Sequence, residues 1–293
     1  MRQCDPSRAP VAHRSPRRRT IDPPLPPELI PISSVRNLIL GLLNPLNRPL
    51  LALDLLFRNS SIEVQMSNPK FSPRDAATAY LSGRRSPSAR YASWDHCFNY
   101  FRGFAEQGRH ELVASPENVQ SSCLNLGFYL ASWGMYRGKS TLLKRSSQAL
   151  EDLVNVIAQT PEGLWDLDIA LYDNNSIRDL LDSSMEIRNA LSRLSNEGAG
   201  RTASDTLTTK VMLGVFGNVP AFDRFFKQGL GVSSLNQKSL LKIKDFYDRN
   251  RQDVEDFRVP SMDFRGNPSG FRYTQAKVVD MMFFVMGGGL SVS

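Results

Sequence analysis

Along most of this chain apolar residues recur at the three- and four-residue spacing of an amphipathic helix, while period-two alternation is nearly missing. Between residues 93 and 106, Trp94, Cys97, Phe98, Phe101 and Phe104 share one helical face. A short helix fits 73–83. Ser115-Pro116-Glu117 reads as a helix start, with Ser as cap, Pro in the first turn and an acid beside the positive helix end. That helix carries Leu124, Phe128, Tyr129 and Trp133 and is expected to stop near Gly138. Ser140 can cap a further helix bearing Leu143, Leu150, Leu153, Val154 and Ile157, and Thr160-Pro161-Glu162 opens a short segment over 164–171.

Ser176 is the expected cap of a helix over 177–195, with Leu180, Leu181, Ile187 and Leu191 facing inward. Ser204 or Asp205 caps another, to about Val215, and Gly217-Asn218-Val219-Pro220 is a turn. Helices then fit 221–228 and 235–250, the second capped by Ser234. Residues 251–273 read as irregular, and Thr274 caps a last helix that ends at the glycines 287–289. The pattern predicts an all-α protein, a compact multi-helix bundle of about eight to ten helices. Residues 196–203 (NEGAGRTA) are the clearest linker, the boundary if the body has two lobes, 66–197 and 204–293.

The first 65 residues differ in composition from the rest. They hold nine Arg and no Lys, and eight of the first 31 residues are proline. Three readings of this irregular leader stand open: a disordered basic tail, an anchor for acidic surfaces, or upstream sequence translated from a misplaced start, with the protein proper beginning at Met66. The formal charge of the chain is +7. Nine Arg against Asp5, Asp22, Glu28, Asp54 and Glu63 place +4 of it in the leader, which leaves +3 for the helical body. The basic balance invites a polyanion partner, and local clusters carry that expectation: Arg84, Arg85 and Arg90; Arg137, Lys144 and Arg145; and Lys238 to Arg251. The last set alternates with Asp245, Asp248 and Asp253, the pattern of a solvated face.

No stretch offers the roughly 20 apolar residues of a membrane span, since the greasy run 38–57 is broken by Pro45, Arg48, Pro49 and Asp54. Three cysteines (Cys4, Cys97, Cys123) and three histidines (His13, His96, His110) show no metal-ligand spacing. A reduced, cytoplasmic protein with neither metal nor cofactor is the expectation.

Four strings carry a resemblance: SWDHCFNYF (93–101), NLGFYLASWGMYRGKSTLL (125–143), DTLTTKVMLGVFGNVPAFDRFF (205–226) and QAKVVDMMFFVMGG (275–288). Their order and spacing resemble a widespread family of uncharacterised bacterial proteins, over residues 66–288. That resemblance implies an all-helical soluble protein and no assigned activity. A second similarity is to the helix-hairpin-helix DNA glycosylases. It rests on Gly198-Ala199-Gly200 before Thr202-Ala203, and on Val219-Pro220-Ala221-Phe222-Asp223. It implies backbone N–H groups that hold a phosphate, and an acid at Asp223 that serves base excision on an extruded base.

Individual residues sharpen the candidates. Gly134 to Ser140 imitates a phosphate-binding loop, but three residues separate its glycines where four are needed, and it follows a helix rather than a strand. Asp95-His96 are helix neighbours that point about 100° apart, so they read as a first-turn acid and a partly exposed His. Lys210 and Asp223 each interrupt apolar text in helices joined by a tight turn. Such charges need partners, and a Lys210–Asp223 bridge is the simplest match. Lys277 and Asp280, at i and i+3 in an apolar helix, form the same kind of pair. The leading functional expectation is an accessory helical module associated with nucleic acid. The alternative is an enzyme with Asp223 and Lys210 as catalytic groups and Tyr136, Arg137, Lys277 and Asp280 as binding groups. A third reading is a partner-dependent interaction protein.

Overall fold

A computed structural model of the chain describes residues 71–138, 140–194 and 202–290. The leader and Gly198-Ala199-Gly200, on which the glycosylase similarity partly rests, lie outside the described residues. What is described is all-α apart from one hairpin. The helices are α1 (Pro73–Ser82), α2 (Ala92–Ala105), α3 (Val119–Ser132), α4 (Glu151–Ala158), α5 (Glu162–Trp165), α6 (Asn174–Arg193) and α7 (Asp205–Val215). They continue with α8 (Arg224–Leu230), α9 (Gln237–Arg249), α10 (Arg251–Asp256) and, after strands β1 (Pro260–Met262) and β2 (Pro268–Arg272), α11 (Gln275–Met286).

Two helices organise the rest. Every residue of α11 from Gln275 to Val285 is buried, as is every residue of α7 from Leu207 to Val215. A helix apolar all round must be covered all round. α1 and α8 pack on α11, while α2, α3 and α6 pack on α7. One continuous apolar cluster runs from Ala76 to Val285, so segments on both sides of 196–203 share a core. No described helix is long and apolar enough to cross a membrane.

Local chemistry sets most helix starts. Ser72 caps α1, Ser204 caps α7 and Thr274 caps α11, each through its side-chain oxygen. Elsewhere the expected starts move. Asp173, not Ser176, caps α6, and Ser176 closes the reciprocal capping box. Asn236 replaces Ser234 as the cap of α9. α3 begins at Val119, because 110–114 form a 3-10 turn and Asn118 ties back to Leu112 and Ser115. It ends at Ser132 rather than near Gly138, where Gly134 (φ 76°) takes the left-handed turn. The helix expected after Ser140 is instead two 3-10 turns followed by α4. Arg145 turns extended there, and its guanidinium donates to the Leu194 carbonyl just past α6.

Residues 251–273, expected to be irregular, hold α10 and an antiparallel hairpin that pairs Pro260 with Arg272 and Met262 with Pro268. Side chains of α2 hold that hairpin. Asn99 Nδ2 donates to the Met262 carbonyl at 2.9 Å, and Asp95 accepts the Met262 N–H at 2.8 Å. Asp95, the first-turn acid of α2, is wholly buried. It also pairs with Arg84 at 2.8 Å and accepts from Tyr273 Oη at 3.0 Å.

The ends of α8 and α11 meet backbone to backbone. A Cβ on Gly229 would lie 2.5 Å from the Phe283 carbonyl oxygen. Gly229→Ala is therefore expected to destabilise by roughly 1–3 kcal/mol, read as a lower Tm. Gly103→Ala, with nothing within 4 Å, serves as the control and holds or raises Tm. Equal melting of Gly229→Ala and wild type would show that the close approach is not a constraint.

Candidate functional site

The candidate site forms where α7 gives way to α8. Lys210 lies within the buried run of α7. The chain then turns at Gly217 (φ 69°), where a Cβ would come within 2.7 Å of Thr274. The next residues are pinned from two sides. From α7, Thr209 Oγ1 accepts the Phe222 N–H at 2.8 Å, and Thr206 Oγ1 donates to the Phe222 carbonyl at 2.8 Å. From α11, Asp280 Oδ1 accepts the Ala221 N–H at 3.0 Å.

Asp223 follows directly, and its carboxylate is divided between two tasks. Oδ1 caps α8 by accepting the N–H groups of Phe225 and Phe226, both at 3.0 Å. Oδ2 accepts from Lys210 Nζ at 3.2 Å. The expected Lys210–Asp223 bridge is thus present. Lys210 Nζ also lies 5.0 Å from the centroid of the Trp133 ring, an attractive cation–π distance. Trp133 stands just past α3, and its indole N–H is buried without a hydrogen-bond partner among the described residues. A buried donor without an acceptor is expensive to keep.

These groups line an open cavity of about 650 Å³. Trp133 and Phe225 supply aromatic walls, Lys210 and Asp223 an ion pair, and exposed Arg90, Arg137 and Arg224 add three cations. Arg137 reaches the cavity by folding back over Gly134, where a Cβ would stand 2.8 Å from its Nε. The Arg90 guanidinium lies 4.9 Å from the Trp133 ring.

Lys277 and Asp280 lie outside that lining. Lys277 Nζ is 3.6 Å from Asp280 Oδ2 and donates to Tyr80 Oη at 2.8 Å. It sits among aromatic rings, 4.6 Å from Tyr80, 5.2 Å from Trp94 and 5.8 Å from Trp133. The expected i, i+3 pair is therefore formed, as an inner pair behind the outer one. Burial pushes the Lys277 ammonium down to about 8, against the opposing pull of Asp280 and Asp95. Burial likewise raises Asp280, while Lys277 and Lys210 hold it down. Tyr136 joins neither pair; it is half-buried, with its hydroxyl against Gly127.

A second cavity, of about 380 Å³, lies between Phe98, Trp165 and Phe271 and includes Asp168. Its buried carboxylate and Arg102 already have partners. Asp168 accepts the N–H groups of Ile169, Gln275 and Ala276, and Arg102 pairs with Asp166. Burial lifts the Asp168 carboxyl to about 6, with those three N–H groups opposing. We read it as the support for the start of α11. Among the described residues no three His, Cys, Asp or Glu side chains are placed to hold a metal ion.

Of the residues named from the sequence, Lys210, Asp223 and Arg137 line this cavity, as does Arg90 from a basic cluster. Trp133 and the aromatic group Phe222, Phe225 and Phe226 read as core in the sequence, and Arg224 was overlooked. The signal available for Arg224 was its place beside Asp223, at the mouth of a turn. Comparison of the chain with family models, with curated proteins and with solved structures returned no match.

Lys277 makes stability depend on pH with a definite sign. Between pH 8 and 10.5 the unfolded chain keeps a proton that the folded chain has released, so unfolding free energy rises with pH across that window. Subtracting the melting curve of the double variant Lys277→Met with Asp280→Asn should reveal this rise. Parallel curves for the two proteins would contradict it.

Proposed function

We propose that the protein is an enzyme acting on nucleic acid, with Lys210 as amine nucleophile and Asp223 as its proton acceptor. The observation that carries this reading is the 3.2 Å Lys210–Asp223 contact in a cavity walled by Trp133 and Phe225 and lined by Arg90, Arg137 and Arg224. Each part answers a chemical need. Aromatic faces stack on a nucleobase, and guanidinium groups hold phosphate oxygens. A neutral lysine amine attacks an electron-poor carbon, and a carboxylate beside it can take the proton that nitrogen releases on attack. The similarity of 219–223 to the helix-hairpin-helix glycosylases supports the same chemistry. The amine would attack the sugar carbon that bears the base, the base would leave with the bonding electrons, and Asp223 would take the proton released from nitrogen. The resulting N-glycoside would then open by breaking the bond from that carbon to the ring oxygen, which takes the proton back, and an imine to Lys210 would remain. A base must leave its stack to enter such a cavity.

The polar partners of Asp223 fit this role. With Oδ1 committed to the start of α8, only Oδ2 faces the amine, so the carboxylate is held in one orientation. Trp133 adds an unpaired N–H next to the amine, a donor available to an incoming polar group.

The test is imine trapping. Wild type, Lys210→Gln and Asp223→Asn are mixed with single- and double-stranded oligonucleotides that carry an abasic aldehyde, then reduced with borohydride. The reading predicts a covalent adduct that maps to Lys210, is absent from Lys210→Gln and forms at least ten-fold more slowly in Asp223→Asn. Strand binding without any adduct would overturn the enzyme and leave a non-catalytic nucleic-acid module. Neither binding nor adduct would remove both.

A further inference from the structure

A third cavity, of about 370 Å³, adjoins the site, and Arg90 lines both. Pro87, His96, Phe128 and Phe264 supply its other walls. Two of these rings stand in water, Phe128 at 66% and Phe264 at 84% exposure. Such exposure is uncommon for side chains of this size, and here both belong to a single concavity.

The exposure of Phe264 is built into its turn. Phe264 occupies the tip between β1 and β2, where the Asp263 carboxylate accepts the N–H groups of Arg265 at 2.9 Å and Asn267 at 2.8 Å. Gly266 (φ 90°) lies against Pro87, where a Cβ would come within 3.1 Å of the proline ring. The Phe264 and His96 rings are 5.4 Å apart at 44°. His96 Nε2 is buried and has no hydrogen-bond partner among the described residues. The wall thus combines flat aromatic surface with an imidazole nitrogen whose hydrogen-bonding capacity is unspent.

We infer that this cavity seats a second, unpaired nucleobase, stacked on Phe264, with the phosphate between it and the base at Lys210 held by Arg90. The inference rests on the nucleic-acid reading above and extends it: the substrate strand is single-stranded or opened over at least two nucleotides. Three features favour a base over an aliphatic ligand. The wall includes the three aromatic rings of His96, Phe128 and Phe264, the free nitrogen suits a base edge, and the cation shared by both cavities, Arg90, stands where one strand would pass between them. Exposed Arg265, next to Phe264, extends the positive border beyond the seat.

The test uses the full chain and two labelled probes, a ten-nucleotide thymidine strand and a strand of equal length built entirely of abasic tetrahydrofuran units. Equilibrium binding is read by fluorescence anisotropy for wild type, Phe264→Ala and Phe264→Trp. Phe264 is too exposed for either substitution to disturb folding. A stacking seat predicts that Phe264→Ala weakens the thymidine strand roughly ten-fold, leaves the abasic strand unchanged, and that Phe264→Trp restores wild-type binding. Loss on neither strand, or equal loss on both, overturns the seat and leaves the Lys210 site standing. Wild type that binds neither probe overturns the seat together with the nucleic-acid reading. A Phe264→Ala protein whose only change is a loss of self-association would assign the cavity to a second copy of the chain and also overturn the seat.

Discussion

A single buried carboxylate joins the scaffold to the site. Asp280 lies in a helix with no solvent-facing side, where an unmatched charge would be intolerable. It is matched twice, by Lys277 one turn away and by the Ala221 N–H. The second bond fixes the turn that delivers Asp223, two residues on. Removing one partner of a buried pair costs about 3–5 kcal/mol, so this contact is a constraint on the fold before it is anything else. Its functional consequence is that Asp223 arrives at Lys210 already placed.

Two Lys–Asp pairs therefore differ in kind although their sequences look alike. The inner pair, Lys277 and Asp280, is enclosed by Tyr80, Trp94 and Trp133, and its polar atoms have partners. The outer pair, Lys210 and Asp223, borders open space with three arginines. Trp133 stands between the two roles, within 5.0 Å of one amine and 5.8 Å of the other. The Coulombic influence of each lysine on its neighbours links the pairs, since Lys210 helps to lower Lys277 and to hold down Asp280.

The parts of this arrangement that could be read in the sequence are those set by near neighbours. Ser204 and Thr274 announce their helices through side-chain caps, and the apolar runs of α7 and α11 announce burial. Both Lys–Asp pairs were legible because one spans a tight turn and the other a single helical turn. Features that depend on distant chain segments were not. Asp95 reads only as a first-turn acid until Arg84, Met262 and Tyr273 close around it, two of them more than 160 residues away. Arg90, Trp133 and Arg224 come from three separate segments, and no local pattern brings them to one cavity. The hairpin at 260–272 was hidden for another reason. Its prolines and glycines suggest irregularity, and its pairing is held by Asn99 and Asp95 of α2 rather than by alternating side chains of its own.

The account holds that Lys210, though buried in α7, is the amine that lines a cavity, and Lys277 the amine enclosed by rings. Reductive labelling with pyridoxal 5′-phosphate, an aromatic aldehyde that carries one phosphate, tests this most directly when followed by borohydride and peptide mapping. The predicted result is modification of Lys210 ahead of exposed Lys238, with Lys277 untouched. Modification of Lys238 while Lys210 stays free, or equal rates at Lys277 and Lys210, would contradict it.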